Sequence, residues 1–139
     1  MIVLDTNVLS ALMRQVPDRA VVDWLDKQPR TSIWTSSITV LEIGYGLRIL
    51  AAGRRRSTLM AAFAKLVGEE IDGRIAPFDA PAAERAGDLM AMRHKKGTPG
   101  DLRDTMITGI VLARRATLAT RNISHFEDLD VRVVNPWED

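Results

Sequence analysis

Short apolar runs, rich in β-branched residues, alternate with longer helical patterns along the whole chain. The predicted strands are residues 1–4, 31–35, 74–78, 117–120 and 131–134. Strands that are separated by helices pair in parallel, and the helices then cover both faces of the sheet. The sequence therefore predicts an α/β fold in which a parallel sheet of about five strands is flanked by helices.

Helix start and stop signals lie between these runs. Ser36-Ser37 is a cap at the start of the third predicted helix, and Gly53 ends that helix. Pro81 begins the fifth predicted helix, and Gly97 ends it. The predicted helices cover about residues 6–14, 17–28, 37–52, 55–70, 81–97 and 101–115. In an open parallel sheet, ligands bind beyond the carboxyl ends of the strands. Asp5 follows the first strand and Thr120-Arg121-Asn122 ends the fourth, so we expect a site there.

Composition limits the classes of protein that this chain can belong to. Its 139 residues suit one domain, residues 1–139, and 46% of them are hydrophobic. Cysteine is absent, which excludes disulfides, zinc–thiolate sites and cysteine nucleophiles. No apolar run approaches the roughly 18 residues that span a bilayer. No basic segment precedes the first apolar run, so we expect no signal peptide, no membrane contact and a cytoplasmic protein.

The net charge is +1, from 19 Lys and Arg against 18 Asp and Glu. The positive charge is nevertheless clustered, at residues 54–56, 94–96 and 114–115. Such clusters are either solvated helix ends or surfaces that follow a phosphate backbone. The sequence leaves both interpretations open.

Three acidic residues are candidates for a catalytic and metal-binding cluster: Asp5, Glu42 and Asp104. Each has a structural alternative. Asp5 is a favoured helix cap, Glu42 ends a possible capping box that begins at Thr39, and Asp104 lies in a first helical turn, where the helix dipole favours acids.

Their neighbours argue for burial. The third helix carries two apolar stripes, Val40-Ile43-Leu47-Leu50 and Ile38-Leu41-Tyr45-Ile49. A helix that is apolar around most of its circumference is expected to be buried. Glu42 shares its strip with Gly46, which predicts a close backbone approach. Ile107, Thr108 and Val111 follow Asp104 at helical spacing, so its face is expected to point inward.

Buried, converging carboxylates are costly unless a cation neutralises them. Oxygen ligands favour Mg²⁺, with Mn²⁺ as the alternative. The two histidines, His94 and His125, are far apart in sequence, which argues against a histidine-rich zinc site. Asp101 lies three residues before Asp104 and is either an N-cap or a further ligand.

Four segments, in this order, resemble the PIN-domain toxins of the VapC family: 2–8 (IVLDTNV), 38–46 (ITVLEIGYG), 104–110 (DTMITGI) and 118–122 (LATRN). The C-terminal Val134-Asn135-Pro136-Trp137 is similar to the FitB branch of that family. The resemblance spans nearly the whole chain.

This resemblance implies a PIN fold, a homodimer, and an acidic site of Asp5, Glu42 and Asp104. It implies a toxin that hydrolyses RNA with Mg²⁺ and leaves a 5′-phosphate and a 3′-hydroxyl. It also implies a VapB-like antitoxin, and contact with operator DNA only through that antitoxin. Relatives often carry a fourth carboxylate near the position of Asn122; the neutral side chain here places a second metal in doubt.

Supporting roles follow from the same resemblance. Thr6, Asn7 and Thr120 are candidates to position water or phosphate, with local capping as their alternative, and Arg121 is a candidate substrate contact. Asn122 is either a ligand through its carbonyl oxygen or a turn residue.

Three other interpretations stay open. The first is a DNA or structure-specific PIN nuclease, and the second is a catalytically weak PIN-like binding module. The third is a receiver-like domain, which needs an acidic pair where this chain has Asp5-Thr6 and a lysine where it has Arg121. No nucleophile elbow and no phosphate-binding loop of the Walker type is present.

Overall fold

A computed structural model describes all residues, 1–139. The strands are β1 (Ile2–Leu4), β2 (Ile33–Ser36), β3 (Ile75–Ala76), β4 (Thr117–Ala119) and β5 (Arg132–Val134). The helices are α1 (Thr6–Met13), α2 (Arg19–Asp26), α3 (Ser37–Arg48), α4 (Arg54–Lys65), α5 (Ala80–Lys96) and α6 (Leu102–Arg114). Short 3₁₀ turns cover Arg30–Ser32 and Ile123–Phe126, and a π-helical turn, Leu66–Glu70, prolongs α4.

The five strands form one parallel sheet in the order β3-β2-β1-β4-β5. The predicted α/β architecture is therefore confirmed. The central strand β1 is buried on both faces: Leu4 belongs to one core cluster and Val3 to the other. This follows from the alternation of side chains along a strand, and it explains why the first run is apolar at every position.

The helices divide between the two faces. The larger core cluster contains side chains of α1, α2 and α3, and the smaller contains side chains of α5 and α6 together with Ile38 from the start of α3. Gly109 of α6 packs on α5, where an added Cβ would lie only 2.5 Å from the carbonyl oxygen of Ala82. Glycine is thus needed for the close approach of these two helices.

The third strand is shorter than its sequence pattern. Only Ile75 and Ala76 pair with β2, although the apolar run extends to Phe78. Phe78 has already left the ladder, since its backbone N–H donates to the side chain of Ser37 at 3.0 Å. The length of a strand therefore depends on the neighbouring strand that it pairs with as well as on the length of its apolar run.

The predicted all-round burial of α3 is wrong. Ile38, Ile43 and Leu47 are buried, but Leu41, Tyr45 and Ile49 are 57%, 60% and 66% exposed. The helix lies on the sheet with one side only, so Leu41, Tyr45 and Ile49 of its second apolar stripe face outward whereas Ile38 does not. No helix in the structure combines the length and the apolar character needed to cross a bilayer.

Candidate acidic site

Asp5 lies at the carboxyl edge of the sheet, between the ends of two central strands. Leu4 pairs with Ala119, which places Asp5 beside Thr120. The Asp5 carboxylate accepts hydrogen bonds from the backbone N–H of Thr6 at 2.8 Å and from Thr120 Oγ1 at 2.7 Å. Asp5 thus caps α1 as well, and the residue is only 5% exposed.

Burial raises the pKa of Asp5 above its ordinary value of 3.8. The hydrogen bonds from Thr120 and Thr6 oppose this rise, whereas the charges of Asp104 and Glu42 add to it. The charges of both acids therefore act on Asp5 although they are distant from it in sequence. Desolvation and repulsion together outweigh the two hydrogen bonds.

Glu42 is tied to the first strand end through α1. Its Oε1 accepts a hydrogen bond from Thr6 Oγ1 at 2.9 Å, and Thr6 Oγ1 lies 3.1 Å from Thr39 Oγ1. The N-cap of α3 is Ser36, whose side chain accepts from the N–H of Thr39. The alternative that Thr39 and Glu42 form a capping box is therefore wrong, because Thr39 lies inside the helix.

Asp104 lies in the first turn of α6 and is partly exposed. Asp101 is the N-cap of this helix, since its carboxylate accepts from the N–H groups of Arg103 and Asp104 at 2.9 and 3.1 Å. Burial raises the pKa of Asp104, and the charge of Asp101 raises it further, against the opposing effects of His125 and Arg93. His125 Nδ1 lies 3.7 Å from Asp104 Oδ2. The inward face predicted beyond Asp104 is confirmed: Ile107, Thr108 and Val111 are buried.

The loop after β4 completes this edge of the sheet. Thr120 Oγ1 accepts from the backbone N–H of Asn122 at 3.1 Å and, at 3.4 Å, from the Asn7 side chain. The Asn7 side chain in turn accepts from the N–H of Arg121 at 3.3 Å. The Arg121 guanidinium stacks on Trp137, 4.7 Å from the ring centroid. These bonds fix the loop against α1.

A cleft of about 500 Å³ opens beside Asp104. Its lining is mostly polar and includes Asp101, Ser124, His125, Glu127 and Asp128. A second opening of about 270 Å³ adjoins Thr6 and Glu42. Gly46 lines it, and an added Cβ there would meet nothing within 4 Å, so the predicted close backbone approach at Gly46 is wrong.

The donor chemistry suits a hard cation. The candidate side chains Asp5, Glu42 and Asp104 offer oxygen only, and burial raises the pKa of Asp5 and of Asp104, so a nearby cation would stabilise their charged forms. No three His, Asp or Glu side chains approach closely enough to form a metal-binding group unaided. Mg²⁺ commonly uses one or two carboxylates and completes its shell with water and substrate phosphate. The residues thus fit such an open site and do not fit a closed one.

Sequence reasoning missed several residues that surround the three acids. Arg103 NH1 lies 3.8 Å from Glu42 Oε2. The buried Arg93 donates to Thr105 Oγ1 at 3.3 Å and to the carbonyl oxygen of His125 at 3.4 Å. In the sequence, His125 served only as an argument against a zinc site, yet its Nδ1 lies 3.7 Å from Asp104 Oδ2. The position of Arg103 beside Asp104 was the only sequence signal available for these contacts.

Known proteins are similar to this chain both in sequence and in fold. A sequence profile described as the PIN domain matches residues 2–131. The chain is 39% identical over 138 residues to the VapC ribonuclease Y4jK of Sinorhizobium fredii, covering 99% of each chain. It is 34% identical over 139 residues to Toxin FitB of Neisseria gonorrhoeae, covering all of both. The solved structure of FitAB bound to an IR36 DNA fragment contains a chain that matches with a TM-score of 0.88 and 33% identity, covering 100% of this chain and 97% of that one. The chain therefore belongs to the PIN-domain family and is similar over its whole length to VapC- and FitB-type members.

Proposed function

We propose that the chain is the toxin of a type II toxin–antitoxin system and that it acts as a Mg²⁺-dependent endoribonuclease, with Mn²⁺ as a possible substitute. One observation carries the proposal. A buried carboxylate at the end of the central strand, Asp5, has a pKa that is raised by burial and by the charges of Glu42 and Asp104. The whole-length similarity to a protein named VapC ribonuclease supports the choice of RNA as substrate.

A bound Mg²⁺ supplies positive charge to the phosphodiester and lowers the pKa of a water molecule. Asp5 and Asp104 are the residues that would hold it, with Glu42 as a further ligand or as the orienter of the attacking water. In the reaction, the water oxygen forms a bond to phosphorus and the bond from phosphorus to the 3′-oxygen breaks. The 3′-oxygen takes up a proton, and the new terminus is a 5′-phosphate.

The chain's own hydrogen bonds prepare this site. Thr120 and Thr6 orient the Asp5 carboxylate, and the Thr6 hydroxyl also orients Glu42. Because these hydrogen bonds already hold the carboxylates in place, little conformational entropy has to be lost when the substrate reacts. Asn122 stays a candidate oxygen ligand, Asp101 a candidate contact through water, and Arg121 a candidate phosphate contact.

Replacement of Asp104 with Asn tests the proposal. The variant removes one carboxylate charge and keeps the shape of the side chain, so metal-dependent cleavage of a panel of single-stranded RNAs should fall to background, and growth inhibition on expression should disappear. Asp88→Asn, on the exposed surface of α5, is the matched control and should cleave normally. Full activity of Asp104→Asn would overturn the assignment, and cleavage of DNA but not RNA in the same panel would favour the DNA-nuclease alternative.

The partner belongs to the same proposal. A VapB-like antitoxin would cover the acidic site with a basic side chain, and a homodimer of the toxin would contact operator DNA through it. The solved structure of FitAB bound to a DNA fragment supports the contact with DNA. The exposed apolar row Leu41, Tyr45 and Ile49 on α3 supports the contact with a protein partner, since contiguous exposed apolar side chains commonly mark protein interfaces. Coexpression with the neighbouring upstream reading frame should abolish toxicity.

A further inference from the structure

A groove leads away from the acidic site along α1 and α4. Its first part, of about 270 Å³, is lined by Thr6 and Glu42 at the site. Its second part, of about 630 Å³, is lined by Arg54 and Arg55 at the start of α4. The two parts adjoin, because both are lined by Met13, Arg14 and Leu59. We call this continuous depression the α1–α4 groove.

The charge of the α1–α4 groove changes sign along its length. Glu42 is the only acidic side chain in the lining, and it lies at the end beside the acidic site. Arg54 and Arg55 line only the other end, Arg14 lines both parts, and the second part has no acid among its lining residues. The chain as a whole carries a net charge of only +1, so this concentration of cations is a local property.

These three arginines have no partner within the protein. None of them forms an ion pair or a side-chain hydrogen bond, and all three are exposed. Other arginines of this chain are engaged: Arg74, for example, donates to the carbonyl oxygens of Ile33 and Arg30. Arg14, Arg54 and Arg55 thus keep their full donor capacity and charge for a ligand outside the chain.

We propose that the α1–α4 groove binds the phosphates of single-stranded RNA flanking the scissile bond, with Arg14, Arg54 and Arg55 as the phosphate contacts. This inference rests on the proposed ribonuclease activity and adds the direction in which the substrate strand leaves the site. Guanidinium groups bind phosphate in a bidentate manner. A strand whose reacting phosphate lies at the acidic end would place its neighbouring phosphates over the basic end.

The lining favours nucleic acid over a peptide. A docked amphipathic helix inserts apolar anchors and needs an apolar floor. In the basic part of the groove, the apolar side chains are only Met13 and Leu59, beside the polar Gln15 and Thr58. Three guanidinium groups thus accompany only two apolar side chains in this part of the groove, which suits a phosphate backbone.

The test uses a fluorescently labelled 20-nucleotide single-stranded RNA and full-length protein. Binding is measured by anisotropy at several salt concentrations in the Asp5→Asn background, so that the probe is not cleaved. Adding R54A/R55A should weaken binding about tenfold or more near 0.1 M salt and reduce the slope of log K against log salt by about 1.4, since each contact on a single strand contributes about 0.7. The control R85A/R132A removes two exposed arginines outside the groove and should leave the slope unchanged.

Cleavage by proteins that keep Asp5 supplies a second readout. R54A/R55A should lower kcat/KM for the 20-nucleotide RNA at least about fivefold, yet leave cleavage of a four-nucleotide RNA unchanged, since a short strand does not reach the basic end. Loss of cleavage for both lengths would point to a folding defect, and Arg54→Lys/Arg55→Lys, which keeps the charge, should then restore the salt slope if the proposal holds.

The remaining outcomes separate this inference from the proposed function. An unchanged salt slope in R54A/R55A overturns the groove assignment even if the protein is an active ribonuclease. If wild type cleaves no RNA but the variant still loses the salt-dependent binding, the groove assignment stands and the ribonuclease proposal fails. Unchanged RNA binding combined with lost neutralisation by the antitoxin would assign the groove to that partner and overturn the proposal.

Discussion

Replacing Asp5 with Asn should stabilise the protein in the absence of divalent cations while abolishing its activity. The carboxylate receives two hydrogen bonds, at 2.7 and 2.8 Å, and bonds to a charged acceptor contribute about 1.5–3 kcal/mol each. Burial and the charges of Glu42 and Asp104 nevertheless raise the pKa of Asp5. The ionised form is thus less favourable in the folded protein than in the unfolded chain.

The size of the gain follows from that pKa. Each unit by which folding raises it corresponds to about 1.4 kcal/mol in favour of the neutral form. Asn is neutral, has the same shape and caps a helix about as well as Asp. Its Nδ2 can donate to the Thr120 hydroxyl in place of the hydrogen bond that Asp5 Oδ2 accepts, so the variant should recover most of this energy at pH 7.5. For a chain of this length, each kcal/mol corresponds to about 4 °C in Tm.

The gain should depend on pH. Because folding raises the pKa of Asp5 above 3.8, the folded protein keeps a proton on this carboxyl to a higher pH than the unfolded chain does. Asp5 therefore lowers the stability of wild type as pH rises through the folded-state pKa. The advantage of Asp5→Asn should therefore be full above that pKa and shrink below it. Added Mg²⁺ should raise the Tm of wild type and leave that of the variant nearly unchanged.

Thermal unfolding followed by circular dichroism in EDTA, at pH 7.5 and at pH 4.5, measures these effects. Asp18→Asn is the control, since Asp18 also caps a helix and also accepts two hydrogen bonds, from Ala20 and from Trp137 Nε1, but lies outside the acidic site. Its Tm should fall. An Asp5→Asn variant that is less stable than wild type by more than about 1 kcal/mol at pH 7.5 would refute the reasoning, because Asp5 would then be primarily a structural cap.

Two further substitutions test the packing around the site. Gly109→Ala should lower the free energy of unfolding, measured by urea denaturation, by about 1–3 kcal/mol, because the added Cβ would lie 2.5 Å from Ala82 O. In the control Gly87→Ala the added Cβ meets nothing within 4 Å, so this variant should be as stable as wild type or more stable. Equal stabilities of the two variants would contradict the close packing at Gly109. Thr120→Val should lower the free energy of unfolding by about 1–3 kcal/mol, because it removes the hydroxyl donor to buried Asp5 without changing the size of the side chain. A Tm equal to that of wild type would show that this hydrogen bond contributes little to stability.

Much of the fold was predictable from local pattern. A fully apolar run at residues 2–4 predicts a strand buried on both faces, and it occupies the centre of the sheet. The apolar residues that follow Asp104 at helical spacing predicted an inward face, and those side chains are buried. Such predictions succeed because the period of side chains along a strand or helix depends on local backbone geometry alone.

The surroundings of the acidic site were less predictable. Leu41 and Tyr45 belong to an apolar stripe of α3, yet they are exposed, since periodicity does not reveal which side of a helix meets the sheet. Glu42 matched a capping box in sequence, but its hydrogen-bond partner is Thr6, 36 positions away. His125 lies beside Asp104 only because the turn after β4 returns to α6.

The sequence by itself determined the alternation of strands and helices, the absence of thiol chemistry, and the acidic residues worth considering. Only the tertiary structure decided which charges act on Asp5, which apolar stripe stays exposed, and where the unpaired arginines of the α1–α4 groove lie relative to Glu42. The physical reason is that secondary structure is favoured by neighbours along the chain. Burial, repulsion and grooves instead depend on distances between residues that only the folded chain brings together.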